Sequence, residues 1–368
     1  MLRLAYKPNA AETVERLRGL VERRAPDRIF AQFPTPTQAM RRFVETHESA
    51  FSTDYPDPRE RIRFWDELLK ERSELEDDSI PYAYPSEFDQ GLYGGLLGGD
   101  VRFLCMTEQG YNSSGWISSM IPPLLQDWSE FDRLRIDGSA PWFQRYLTQL
   151  DAFVAAAAGK FGVSHFILID ALNFVFELVG ATNTYVSLLE QPELVRRAID
   201  FAFELNVLIQ DTFFERVGLL SGGTASNMVQ WIDGRIVSES VDPFHMTSVD
   251  YFETWGREPV ERILGHYDGG VVHIHGNGRH LLQAVSSIRG LKAIYLGDDR
   301  GYPPAFEVLG QLQARTGDVP LVVSVAWEPF VERLRRHALP GGVLYQVAGA
   351  ANPDAVNRLM EEVRAYRI

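Results

Sequence analysis

The sequence contains a single cysteine, Cys105, among its 368 residues. One cysteine excludes an intramolecular disulfide and any metal site built from several thiolates. The chain also lacks a run of about 18 apolar residues that could span a membrane. Its N-terminus, MLRLAYKPNAAETVERLRGL, turns polar too early for a secretory signal. We therefore expect a cytoplasmic protein with no membrane partner.

Positive charge is in the minority, because 36 Lys and Arg stand against 50 Asp and Glu, a formal net charge of −14. Phosphate backbones and anionic surfaces repel such a chain, so we expect no nucleic-acid partner. Nucleotide signatures are missing as well. HGNGRHLL lacks the third glycine of a dinucleotide fingerprint, and no Gly-Lys-Ser/Thr phosphate loop occurs. These absences leave nucleotide binding without support from the sequence. The substrate that we expect is a small molecule.

What the chain does contain is an alternation of short apolar runs with longer amphipathic segments. The first ninety residues are mainly helical in pattern, since PTQAMRRFVETHESAF and DPRERIRFWDELLKERSELEDD carry apolar residues at three-and-four spacing. Strand-like runs separated by helical segments are typical of parallel strands with helical connections. The runs are RIFAQF, VRFLCM, HFILID, TASNMVQW, GGVVHIHG, LKAIYLGD, VPLVVSVAW and GGVLYQVAG.

Eight such runs predict an α/β fold, a (β/α)8 TIM barrel with a mainly helical N-terminal extension. Seven would predict an open doubly wound sheet. We assign residues 1–90 to the extension, packed on the barrel, and residues 91–368 to the barrel as the catalytic domain. The segment RFWDELL in the extension carries large apolar residues that must be covered, which would suit a homodimer contact.

The residues of greatest interest follow the predicted strands, because barrel enzymes place their chemistry at the carboxyl ends of the strands. Alternation puts His273 and His275 on one strand face and Ile274 on the other. Two imidazoles about 7 Å apart along a strand can share a metal ion. The same spacing is equally compatible with two histidines that hydrogen-bond to buried carbonyls. His245 and the remaining histidines fit structural or exposed positions better.

Other polar residues at predicted strand ends are candidates for catalysis and substrate binding. We assign catalytic roles to Asp170, Asp233 and Tyr345, and substrate binding to Asn173, Trp231 and Asn277. Asp298 and Asp299 end another strand, where acidic pairs bind cations or cap the next helix. The sequence leaves both interpretations of this pair open.

The stretch His273-Ile274-His275-Gly276-Asn277 resembles a strand end, His-x-Cys-Gly-Asn, of the uroporphyrinogen decarboxylase superfamily. The resemblance is to its cobamide-dependent methyltransferase-like branch. In that branch the His and Cys bind zinc, and a second Cys in a Gly-Cys-Gly turn completes the set. Weaker similarities in the same order extend over roughly residues 90–368. They are FELVGATNTYVSLLEQPELVRRAIDF, SVDPFHMTSVDYFETWGREPVERIL and VLYQVAGAANPDAVNRLMEEVR.

The resemblance implies a (β/α)8 barrel with the active site in its C-terminal mouth, a bound metal and a corrinoid carried by a partner protein. The chain departs from the family where Val347-Ala348-Gly349 replaces the Gly-Cys-Gly turn and His275 replaces the first Cys. A site without thiolates suits zinc with an oxygen ligand, or nickel or iron. The sequence leaves four third ligands open: Asp170, Glu177, Asp233 and Tyr345.

Three functions remain open from the sequence. The first is a metal-dependent methyltransferase in which His273 and His275 hold a divalent ion, which the resemblance implies is zinc, and which acts with a corrinoid or similar methyl donor. The second is a metal-free decarboxylase or lyase whose histidines act as a general acid and bind the carboxylate of the substrate. RIFAQFPTPTQAMRR does not match the Pro-x-Trp-x-Met-Arg-Gln-Ala-Gly-Arg stretch of the true decarboxylases, which argues against that particular reaction. The third is a non-catalytic module that binds a small molecule or a corrinoid protein.

Overall fold

The computed structural model describes residues 2–47, 51–52, 54–105 and 115–368. Its strands are β1 Ile29–Gln32, β2 Phe51–Ser52, β3 Tyr82–Ala83, β4 Arg102–Cys105, β5 Ile117–Met120, β6 Gly162–Val163, β7 Gly223–Ser226, β8 Gln230–Asp233, β9 Val237–Ser240, β10 Gly270–Ile274, β11 Leu291–Leu296, β12 Leu321–Ala326 and β13 Val343–Ala348.

The helices of these ranges are α1 Ala10–Val21, α2 Gln38–Thr46, α3 Pro58–Glu71, α4 Gly91–Leu96, α5 Pro141–Ala157, α6 Ala171–Val179, α7 Ala181–Glu190, α8 Pro192–Val217, α9 Val249–Trp255, α10 Arg257–His266, α11 Leu282–Ser286, α12 Leu309–Thr316, α13 Trp327–Arg335 and α14 Pro353–Ala365. Among them, none combines the length with the apolar character that a bilayer crossing requires.

A parallel sheet of six strands lies at the centre of the fold, in the order β1-β13-β12-β11-β10-β9. Every neighbouring pair in it is parallel. From β9 onward, helices separate the consecutive strands, since a parallel pair needs a long crossover to bring the chain back to the same edge. The predicted α/β class with parallel strands is therefore confirmed.

Parallel contacts extend the sheet order beyond β9, and a backbone hydrogen bond extends it beyond β1. β3 pairs with β6, and Ile167, shortly after β6, forms a parallel bridge with Ser238 of β9. Beyond β1, the backbone N–H of Asp78 donates to the carbonyl of Ala31 at 2.9 Å. The arrangement is consistent with a TIM-barrel-like fold.

The first ninety residues are more than a helical extension. They contain β1, which pairs with β13 in the register Ile29 to Val343, so a boundary at residue 90 does not separate the central sheet from the N-terminal part. The apolar residues of RFWDELL also differ from expectation, because they are buried in the main core of this chain. They therefore give no exposed surface for a second copy.

Two of the predicted barrel strands belong to other structures. In VRFLCM, β4 lies in an antiparallel sheet with β2 and β5. TASNMVQW contributes to β7 and β8, which pair as an antiparallel hairpin. The strand that enters the central sheet after them is β9, whose sequence Val-Ser-Glu-Ser was not predicted as a strand because it contains one apolar residue.

Five strands of the central sheet share a pattern on their inner face, where an apolar residue is followed two positions later by a polar one. Alternation along a strand puts both on the same face. The apolar members cluster with side chains of the β7–β8 hairpin region: Phe30, Val271, Ala293, Val322 and Leu344. The polar members are Gln32, His273, Tyr295, Ser324 and Gln346. The inner face is therefore polar toward the carboxyl ends of the strands, where His273 lies.

Candidate metal centre

Two imidazoles meet at the carboxyl end of β10. His273 lies on the inner face of the strand and His275 comes just after its end. Their ring centroids are 4.4 Å apart and their planes are 84° apart. Gly297, after β11, leaves room for them, since a Cβ there would lie 3.0 Å from Cε1 of His273 and 3.2 Å from Nδ1 of His275. The pair thus occupies one side of a single site.

Asp242, just after β9, brings a carboxylate to the two rings. One ligand atom each from Asp242, His273 and His275 lies within 4.8 Å of the other two. The distance from Nε2 of His275 to Oδ2 of Asp242 is 3.9 Å. Two imidazoles and one carboxylate are a donor set typical of zinc and of non-haem iron. We call these three residues, which could hold a metal ion, the metal-binding group.

Asp299 orients His275 from the far side of the metal-binding group. Nδ1 of His275 lies 2.9 Å from Oδ1 of Asp299, and the N–H of Asn277 donates to Oδ2 at 3.4 Å. Burial acts to raise the pKa of Asp299, but attraction to His275 and these hydrogen bonds outweigh it, so the pKa is lowered. A carboxylate of this kind fixes the tautomer of a metal-binding imidazole. Nε2 of His275 is thereby left for a ligand.

His245 lies against Asp242, with its Nδ1 3.5 Å from Oδ1 of that carboxylate. Burial lowers the pKa of both His245 and His273 to about 4, so both rings are neutral at pH 7 and keep a lone pair for a cation. Within the described ranges, one buried atom on each of His245, His273 and Asp242 has no hydrogen-bond partner of regular geometry: Nε2, Nδ1 and Oδ1 respectively. Unpaired buried polar atoms gathered at one site are typical of a place that receives a water molecule or an ion.

None of the four third ligands considered from the sequence belongs to the metal-binding group. Asp170 and Asn173 lie near it, beside the end of β9, where Asn173 donates to the carbonyl of Ser240 at 2.6 Å. Asp170 is 1% exposed, and its oxygens make no hydrogen bond of regular geometry. Burial raises the pKa of Asp170 to about 7. Burial and the charge of Asp170 raise the pKa of the neighbouring Glu239 well above its ordinary value.

Trp231 and Asp233 lie at the opposite end of the sheet, on β8. Trp231 is fully buried, and Asp233 forms a 3.2 Å ion pair with Arg18 of α1. The N–H of Arg235 donates to Asp268, just before β10, at 2.8 Å, which fixes this hairpin at the amino end of that strand. The predicted substrate-binding and catalytic roles of Trp231 and Asp233 therefore have no support from their position, which is typical of a stabilising contact.

Tyr345 also lies away from the metal-binding group, because it is on the outer face of β13. Its hydroxyl donates to the carbonyl of Pro340 at 2.8 Å, and its ring packs against Phe306 and Phe330. Its neighbour Gln346 is the one that faces inward, where it accepts a 3.1 Å hydrogen bond from the hydroxyl of Tyr295. Asn277, in contrast, lies beside the group through its bond to Asp299.

A cavity of about 370 Å³ lies beside the metal-binding group. Four inner-face residues line it: Gln32, Tyr295, Ser324 and Gln346. The ring of Tyr295 is centred 5.2 Å from the ring of His273, so Tyr295 contacts both the cavity and the metal-binding group. The two features are therefore neighbours with a common wall.

No protein-family model matches the chain, and no curated protein matches it in sequence. Among solved structures it is similar to a methyltransferase from Methanosarcina mazei, with a TM-score of 0.61 and 13% sequence identity. The alignment covers 96% of this chain and 98% of that one. The two proteins share a fold. Identity this low shows no more than that, but the coverage extends the likeness over the N-terminal part as well as the central sheet.

Proposed function

We propose that this chain is a metal-dependent methyltransferase of the uroporphyrinogen decarboxylase superfamily, in its cobamide-dependent methyltransferase-like branch. Its parallel strands would close as a (β/α)8 barrel. The observation that carries the proposal is the metal-binding group at the carboxyl end of the central sheet. The methyltransferase fold of the solved neighbour supports it. So does the position of the motif His273 to Asn277, which resembles the zinc-binding strand end of that branch.

The metal would be a divalent ion, zinc in the first place, held by Asp242, His273 and His275. Bound there, it would supply a positive charge that activates the nucleophile of the substrate. The residues fit such an ion because the imidazole of His273 is neutral. In addition, Nδ1 of His273 and Oδ1 of Asp242 are buried and have no hydrogen-bond partner among the described residues. An oxygen ligand in place of the family's thiolate makes the site harder.

The residues around the metal-binding group have defined supporting roles in this proposal. Asp299 holds the Nδ1 proton of His275 and so keeps Nε2 free for the ion. His245 packs beside Asp242 and limits the rotation of its carboxylate. A small-molecule substrate would bind in the adjoining cavity, with Tyr295 between it and His273.

The methyl donor would be a corrinoid carried by a partner protein, which requires an open approach to the metal-binding group. Met246 follows His245 directly and is 75% exposed. Tyr302 is 49% exposed, and its Cβ would lie 3.1 Å from a Cβ on Gly276. The rim beside the group therefore carries exposed apolar side chains that would suit contact with such a partner.

Metal analysis of protein purified without chelators tests the proposal. We expect about one divalent ion per chain in the wild type, and less than about a tenth of that in H273A and in D242N. The matched control is H266A, because His266 is exposed at the end of α10 and should leave the metal content unchanged. Wild-type protein with less than about a tenth of an equivalent would contradict the proposal.

The same variants distinguish the other two functions. A metal-free decarboxylase or lyase would keep its activity in chelator and lose it in H273A, with a pH–rate profile set by imidazole. A non-catalytic binding module would show neither decarboxylase or lyase activity nor methyl transfer. Demethylation of methylcobalamin, followed by its absorbance change in the presence of candidate acceptors, tests the methyltransferase reaction directly.

A further inference from the structure

Helix α3 and the residue after it place two hydrogen-bond donors on the cavity beside Tyr295. Trp65, Leu68, Leu69 and Arg72 have the spacing of one helix face, and all four line the cavity. Trp65 is 5% exposed, and its Nε1 has no hydrogen-bond partner in the described part of the chain. A buried indole N–H normally has an acceptor. Among the described residues, this indole therefore has no acceptor at the cavity wall.

Arg72 is the second donor, and its guanidinium is only partly used. Its Nε and Nη2 donate to the carbonyl of Thr35 at 3.2 and 3.0 Å, while Nη1 makes no hydrogen bond within the described ranges. No carboxylate there forms an ion pair with it. Other cations of this region do have such partners: Lys7 with Asp77, Arg16 with Asp78, and Arg61 with Glu87.

Asp77 is the acid that interacts most strongly with the charge of Arg72, but it already accepts hydrogen bonds from other donors. Its Oδ1 accepts from Nζ of Lys7 at 2.9 Å and from the hydroxyl of Ser79 at 2.5 Å, and its Oδ2 accepts from the N–H of Phe33 at 2.8 Å. Burial lowers the pKa of Arg72 to about 10, so the guanidinium stays charged at pH 7. Arg72 is partly buried. A partly buried cation without an ion-pair partner is unfavourable, and a bound anion would supply the opposite charge.

We propose that this cavity binds a small organic acid, whose carboxylate accepts hydrogen bonds from Arg72 and Trp65 and whose body extends toward Tyr295. A planar carboxylate matches the geometry of a guanidinium edge. Tyr84 and Trp116 add aromatic walls, and about 370 Å³ is the volume of a small-molecule site. Tyr295 brings the far end of the acid next to His273. The role of the acid as methyl acceptor rests on the proposed function.

Calorimetric titration with benzoate and benzamide tests this site, because the two probes have similar shape and differ in charge. We expect the wild type to bind benzoate at least about tenfold more tightly than benzamide. R72Q should lose that preference, and W65F should weaken benzoate binding by about three- to tenfold while benzamide changes little. The control is R63Q, since Arg63 is an exposed residue of the same helix paired with Glu60.

Urea unfolding of each variant shows whether it is folded. W65F keeps an aromatic ring in the wall and removes the N–H donor, so it provides a second test should R72Q unfold. Undetectable benzoate binding, equal binding of the two probes to the wild type, or an unchanged preference in folded R72Q would overturn the site. If R72Q is not folded, unchanged benzoate binding in W65F overturns it.

The site and the metal centre can fail independently. H273A should keep benzoate binding within about twofold, because Arg72 and Trp65 do not contact the metal-binding group. Bound metal without a benzoate preference would overturn the acid site and leave the proposed function. A benzoate preference in a protein that binds no metal would overturn the proposed function and leave the acid site.

Discussion

The imidazole of His275 and the carboxylate of Asp299 form a 2.9 Å hydrogen bond that joins the ends of two neighbouring strands, β10 and β11. The bond engages Nδ1 and leaves Nε2 of the same ring 3.9 Å from Asp242. One side of the imidazole is therefore fixed by Asp299, while the other side faces Asp242. Asp299 would act on a bound metal only through the ring that it orients.

Replacing Asp299 by Asn should weaken zinc binding by roughly 10- to 100-fold, because the amide keeps the shape but lacks the charge that holds His275. Competition with a fluorescent chelator measures the affinity. The neighbouring D298N is the control, since Asp298 binds Arg279 at 2.8 Å and the N–H of Ala305 at 2.7 Å. D298N should lower stability without changing zinc affinity. Equal zinc affinities in D299N and the wild type would refute the orienting role.

Gly278 should tolerate no side chain, because a Cβ there would lie 2.0 Å from Cδ2 of His245. We expect G278A to lower the free energy of unfolding by about 1–3 kcal/mol. It should also weaken zinc binding by about tenfold, since a displaced His245 no longer supports Asp242. Urea unfolding and chelator competition measure the two effects. G310A is the control: nothing lies within 4 Å of a Cβ on Gly310, and alanine favours a helix.

His165 should make the folded state sensitive to acid. It is fully buried, its Nε2 lies 2.8 Å from the hydroxyl oxygen of Ser238, and burial lowers its pKa to about 4 from 6.5. As the pH falls from 6.5 to 4, the unfolded chain takes up a proton that the folded chain does not, so stability decreases. Below about 4 both states are protonated and the loss ends.

The expected slope is about 1.4 kcal/mol per pH unit, and the whole loss is about 3 kcal/mol. Urea unfolding of wild type and H165Q across this range isolates it as the difference between the two chains, because H165Q removes the titrating group. A difference that stays constant from pH 6.5 to pH 4 would show that His165 does not titrate in this way.

Asp170 should have the opposite dependence on pH. Burial raises its pKa to about 7 from 3.8, so its contribution is present below pH 4 and is lost as the pH rises toward 7, where the unfolded chain alone has released the proton. We expect D170N to be more stable than the wild type at pH 8, by at most about 4 kcal/mol, and to match it near pH 4. Urea unfolding measures both, with the exposed D200N as the control. Equal stability at pH 8 would contradict the prediction.

The sequence was sufficient to bring His273 and His275 together, because β10 is an unambiguous apolar strand and alternation decides which side chains share a face. It was not sufficient for Asp242. The strand before it, Val-Ser-Glu-Ser, has little apolar character. Its polar side chains are buried against other polar residues: Ser238 faces His165, and Glu239 lies beside Asp170. Without that strand, the segment SVDPFHM could not be aligned with the end of β10. Asp242 in that segment was the sequence signal that could have indicated a carboxylate beside the two histidines.

The strand assignments that differ from the structure have a common physical cause, which is that sequence alternation does not reveal where a strand lies. TASNMVQW has the apolar content of a buried strand, but its residues form a hairpin against the amino ends of the sheet. In LYQVA, apolar residues occupy both faces of β13, so only Gln346 indicates which face is inner. Tyr345 was placed in the site by its polar hydroxyl, although that group bonds to Pro340.

The pairing of β1 with β13 has a consequence for the synthesis of the protein. Gln32 emerges from the ribosome long before its partner Gln346. At roughly 5–20 residues per second, the edge of β1 waits on the order of 15–60 s for its neighbour. During that interval the edge is open to pairing with other chains. Native assembly of the inner polar layer therefore depends on the last strand to be translated, and a slow or stalled ribosome prolongs the exposure of the first.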